Sequence, residues 1–240
     1  MKIQPRLFLL LTLGFIVLTG VGTLSHEVAH YLTMKHFGYR PKLHYASSSF
    51  GPRAFPEVAV LDSLYKADKS KITAPWQSPQ KARFTTLKKQ FLQAKAYDEF
   101  ICRLAGPLHT VITGLIGFVL LIYRKGHIST TGMAWADWFC VLLTFFWSRQ
   151  VLNLVVSSFQ YLINSKERLQ SDEPQLSLYL DMPWFTLTIA TGCLAAIALS
   201  WIVLFIIPLR QRPAFITACI AGIAIGWVVY MHWLGPILLP

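Results

Sequence analysis

Apolar residues fall into five long runs along this chain, at about 7–34, 100–123, 134–163, 184–208 and 213–234. A helix of about 20 such residues crosses the ~30 Å hydrocarbon layer of a bilayer. A backbone in lipid must satisfy its own hydrogen bonds, so the runs predict an all-α polytopic membrane protein with about five transmembrane helices. A polar stretch at 35–99 separates the first two, and the other connections are short. Lys2 and Arg6 precede the first run as in a secretory leader, but no small-x-small cleavage site follows cleanly. It is therefore read as a retained span.

Composition sharpens this picture. The chain is 54% hydrophobic and only 14% charged, against roughly 25% charged in soluble domains. That excludes a disordered chain and a water-soluble nucleic-acid binder, so no nucleic-acid partner is expected and the lipid bilayer is. The net charge of +11 is concentrated, because the loop region 35–99 holds 12 Lys or Arg against 5 acids. Within it Phe84, Leu87, Phe91 and Ala94 share one helical face, flanked by Lys81, Arg83, Lys88, Lys89 and Lys95. The pattern predicts a basic amphipathic helix resting on anionic lipid. The Ser- and Pro-rich stretch 42–61, including Glu57-Val58-Ala59-Val60-Leu61, alternates in a way that predicts an edge strand. Cys102, Cys140, Cys193 and Cys219 show no CxxC spacing and are read as packing residues.

Chemistry enters at the end of the first run, in His26-Glu27-Val28-Ala29-His30. Positions four apart on a helix differ by about 40° in direction, so both imidazoles can reach one zinc ion. Glu27 lies about 100° further round, too far to share the metal easily but close enough to take a proton from an attacking water. An acid between two histidines at a membrane boundary is costly to place without a partner or a function.

With Met34 and Gly38-Tyr39-Arg40-Pro41 following, and Ala105-Gly106-Pro107-Leu108 opening the second run, the sequence resembles the site-2 protease family of intramembrane zinc metalloproteases. The resemblance spans about 19–183. Family members commonly carry Asn three residues after that proline, where this chain has Thr110. The resemblance implies hydrolysis of a membrane-embedded protein substrate held extended beside a strand. It also implies one Zn2+ and a third ligand, an aspartate from the third core helix in an Asn-containing segment ending Asp-Gly. Asn153 matches the start of that segment, no Asp-Gly follows, and Asp172 in Gln170-Ser171-Asp172-Glu173-Pro174 is the candidate.

Topology supports Asp172 independently. The end of the first span, the start of the second and the exit of the third lie on one membrane face, whereas Asp137 falls on the opposite one, roughly 30 Å away. Glu173, Asp181 and His36 are rivals. His36 has metzincin spacing, but an unbroken helix points it about 240° away from His30.

The third span adds a polar stripe, Gln150, Asn153, Ser157, Gln160 or Tyr161, and Asn164, which should not face lipid. Arg149 sits beside it. Arg149 and Asn153 are candidates for gripping substrate or an oxyanion, against the simpler readings of a buried ion pair and an interhelical hydrogen bond. Gly106, Thr110, Gly114 and Gly117 form a small-residue seam in the second span. Residues 1–183 are read as the protease core and 184–240 as two scaffold helices. Lys and Arg number 14 on the loop's face, counting Lys166 and Arg168, and 6 on the other. That bias places the motif near the cytoplasmic side, with the amino terminus outside; the membrane expected is a bacterial cell membrane. The same residues also suit a non-enzymatic multipass membrane protein with a structural or sensory metal site.

Overall fold

The computed structural model describes residues 4–53, 55–163 and 171–240. Helix α1 (Pro5–His36) starts at a proline whose missing N–H costs nothing in the first turn. It ends at Gly38, whose φ of +82° turns the chain back into a hairpin of β1 (Lys42–His44) and β2 (Ser47–Ser49). The strands pair antiparallel with Leu43 opposite Ser48. Helix α2 (Pro56–Thr73) follows, then α3 (Pro79–Thr131), a single helix of 53 residues. Next come α4 (Trp135–Thr144), a one-turn 3-10 segment and α5 (Ser148–Ile163). A short helix α6 (Asp172–Tyr179) leads to α7 (Thr186–Phe205) and α8 (Arg212–Val229). A π-helical turn and α9 (Gly235–Leu238) close the chain.

Among the described residues, five segments are long and apolar enough to span a membrane: α1, α3, α4 with α5, α7, and α8 continued to Leu238. The protein is thus an all-α, multi-pass membrane protein, and its backbone hydrogen bonds are closed within helices as lipid requires. Asn164, Lys166, Arg168 and Gln170 lie outside the described residues.

α1 is the central element, packed along α8 and α3. Its Phe15 is fully buried, edge-on to Phe145 and Phe215. A Cβ at Gly222 of α8 would stand 2.5 Å from Phe15 Cβ, so only glycine lets these two helices approach this closely. On the far face, Asp137 is fully buried, bonded to Arg124 and accepting from the Ala134 N–H at 2.8 Å.

One sequence expectation for the loop region is corrected and another, the basic helix, is found as part of a longer one. Residues 57–61 belong to α2, not to a strand. Pro56 fits the first helical turn and Glu57 suits its positive end. The strand pairing falls instead at 42–49. The basic segment around Phe84 to Ala94 is the outer part of α3, continuous with the second span. Part of its apolar face is covered by protein rather than lipid: Phe91 meets Phe55 with ring centroids 5.2 Å apart, and Phe84 meets Tyr65 at 6.0 Å.

Candidate active site

Helix geometry stacks His26 and His30 on the face of α1 that meets α3. Their Nε2 atoms are 3.2 Å apart, and each lies 3.1 Å from Asp172 Oδ2. Asp172 arrives in the first turn of α6, where the N-terminal helix dipole favours a carboxylate. Of the described residues, these three form a His/Asp group whose ligand atoms all lie within 4.8 Å of one another.

The partners of the other ring nitrogens define what the Nε2 atoms present. His30 Nδ1 is 2.6 Å from the Cys102 carbonyl, which can only accept, so Nδ1 carries the proton. His26 Nδ1 is 3.0 Å from Thr110 Oγ1, and that hydroxyl donates to the Gly106 carbonyl at 3.1 Å, so it accepts from the ring. Neutral rings assigned in this way turn both Nε2 lone pairs toward Asp172. Three electron-pair donors thus face one another, an arrangement that needs a shared proton or a cation between them.

The spacing fits a metal. Ligand atoms held at 2.0–2.1 Å in a tetrahedral zinc site stand about 3.3 Å apart, close to the 3.1 and 3.2 Å separations here. The donor set of two imidazoles and a carboxylate is one that zinc accepts, with both imidazoles oriented through their second nitrogens. Gly106 makes room: a Cβ there would collide with both Nε2 atoms.

Glu27 is buried beside this group. Its Oε2 accepts from Ser48 Oγ of β2 at 3.1 Å, and its Oε1 is 3.7 Å from Arg149 Nη2. Asn153 Nδ2 donates to Glu173 Oε1 at 3.0 Å. Glu173 is 4% exposed, and burial pushes its carboxyl up. Glu27, Ser48, Arg149, Asn153, Asp172 and Glu173 share one recess of about 390 Å³, which His30 and Arg103 also help to line. A larger, mainly apolar cavity of about 1000 Å³ lies between α1, α5 and α8, and Arg149 and Asn153 line both.

A model of peptidase family M50, the site-2 protease family, matches residues 14–211, most of the chain. The chain belongs to this family. Comparison with curated proteins and with solved structures gives no match. The M50 match reaches past the 19–183 read from the motifs and takes in the fourth span.

In this M50 chain the residues singled out from sequence divide clearly. His26, Glu27, His30, Arg149, Asn153 and Asp172 converge. His36 does not: it is exposed on the last turn of α1, with its ring 5.6 Å from Phe37. Asp181 is also exposed, at a turn with φ of 54°. Glu173 reaches the recess but bonds to Asn153 instead of joining the histidines. Sequence reasoning gave no contact to Ser48 or to the Cys102 carbonyl and left Thr110 without a role. Only Thr110 carried a signal, lying one turn beyond Gly106 on the small-residue seam.

Proposed function

We propose that this protein is an intramembrane zinc metalloprotease that hydrolyses a peptide bond of a membrane-embedded protein substrate. One Zn2+ would be held by His26, His30 and Asp172. The observation that carries the reading is the convergence of three electron-pair donors next to a buried glutamate, in a member of a peptidase family. When bound, zinc supplies a Lewis acid that brings the pKa of water down to ~7.

The chain's own residues supply the rest. Glu27 takes the proton that the attacking water gives up and returns it to the leaving amine. Ser48 and Arg149 hold its carboxylate toward the recess. Arg149 and Asn153 are positioned to offer donors to the developing charge on the substrate carbonyl oxygen. The β2 edge, with Ser47 and Ser48 lining the recess, gives an extended substrate backbone a strand to pair with. Substrate reaches the recess from lipid through the apolar cavity between α1, α5 and α8. Residues 1–183 act as the core and 184–240 as its scaffold. The site lies near the cytoplasmic face, following the Lys and Arg bias, and the membrane we propose is a bacterial cell membrane.

The test is Glu27→Gln beside Asp172→Ala in detergent-purified protein. Glu27→Gln should keep one zinc per chain by elemental analysis and lose at least about a thousandfold in peptide hydrolysis. Asp172→Ala should lose the zinc. Protein that carries no stoichiometric zinc when prepared without chelators, or a Glu27→Gln variant with undiminished activity, would overturn the proposal.

A further inference from the structure

Among the described residues the recess holds three carboxylates and two guanidinium groups, and these carboxylates are all engaged within the chain. Asp172 faces the imidazoles, Glu27 faces Ser48 and Arg149, and Glu173 accepts from Asn153. Arg103 meets the Tyr179 hydroxyl but none of these acids. It lies on α3 one residue past the carbonyl that holds His30, and it lines the same recess as Glu27. Among the described residues no carboxylate comes within 4.0 Å of it, and its Nε is buried without a hydrogen-bond partner.

Its natural partner on the helix is Glu99, four residues earlier. That acid is taken by the Tyr179 hydroxyl at 2.7 Å and lies 3.9 Å from Lys95. The Arg149 Nε is likewise buried and unpartnered on the other wall of the recess. Guanidinium donors removed from water and left unbonded are costly, and a carboxylate satisfies them with charge-assisted, often bidentate bonds. The two positive side chains come from different helices, α3 and α5, and line one recess with Glu27, His30 and Asp172, so a group that pairs with Arg103 sits in the same recess as the bond to be cut.

We propose that Arg103 is a specificity residue that binds a carboxylate of the substrate close to the scissile bond. The proposal deepens the protease reading and rests on it for the word substrate. A carboxylate comes from either of two sources, an Asp or Glu side chain within the substrate or a free C-terminal end. A pocket for the first selects acidic positions in an internal sequence; a pocket for the second trims chain ends.

The experiment measures binding, so it does not depend on turnover. Dye-labelled apolar peptides with amidated ends, each carrying one Glu at a single position within four residues of the centre, are titrated against the zinc-loaded Glu27→Gln protein in detergent. Each is matched with a Gln twin, and one further pair compares a free with an amidated C-terminus. At one or more positions, or at the free end, the carboxylate peptide should bind about tenfold or more tightly than its twin. Adding Arg103→Gln should bring that ratio to about one, Arg103→Lys should restore part of it, and Arg103→Glu should favour a Lys peptide instead. A ratio near one for every pair in the parent, or a preference that survives Arg103→Gln, overturns the proposal. Selective binding by a wild-type protein that cuts none of these peptides would leave the carboxylate site standing and count against the protease reading alone.

Discussion

At the scale of single residues, the site depends on side chains whose work is to aim others. Thr110 stands where the family commonly has Asn, yet its hydroxyl accepts from His26 Nδ1 while donating to the Gly106 carbonyl. Thr110→Val removes that acceptor with little change of volume, and the expected outcome is a zinc affinity weakened by about 10- to 100-fold in chelator competition. Thr110→Ser should stay near the parent value. Gly106→Ala is the steric counterpart: its new methyl group meets both Nε2 atoms, so zinc should be lost while helix content by circular dichroism is unchanged. His26, Glu27 and His30 were legible in the sequence because helical periodicity converts their spacing into direction without any tertiary knowledge. Asp172 needed topology as well, since 142 residues separate it from His30. The Cys102 carbonyl carries no side-chain signal at all, and only the close packing of α1 on α3 brings it to His30.

Among the elements, the five spans were readable because lipid imposes length and apolarity on each independently. The loop region was not, because its outcome turns on which faces meet. The alternation at 57–61 suits a strand locally, but Pro56 and the apolar surface of α3 favour a helix there. The hairpin is too short to announce itself, and it is held from elsewhere. Tyr230 Oη donates to the Tyr45 carbonyl at 2.7 Å, and the Tyr45 N–H donates to the Leu239 carbonyl at 3.2 Å. Tyr230→Phe deletes the first bond at a cost of about 1 kcal/mol. Backbone amides at 42–49 should then exchange hydrogen about fivefold faster, with the amides of α1 unaffected. Because Ser48 contacts Glu27, peptide hydrolysis should fall with it.

For the whole molecule, charge determines how the bundle sits in the bilayer. The turn between α2 and α3 presents Trp76, 67% exposed, on the same side as the histidine motif. With the loop side cytoplasmic, a Trp76→Cys variant should react with a membrane-impermeant thiol reagent in inverted vesicles and stay unlabelled, above the parent's background, in right-side-out ones. Labelling only in right-side-out vesicles would reverse the assignment. α3 also runs as one helix from that turn through the level of the histidines to the opposite face, a rod of about 80 Å. Pro107 interrupts its hydrogen-bond ladder near Cys102, Gly106 and Thr110, the positions that steady the two imidazoles. On the proposed reading, a load on the water-exposed end travels along this one helix to the positions that steady the two imidazoles.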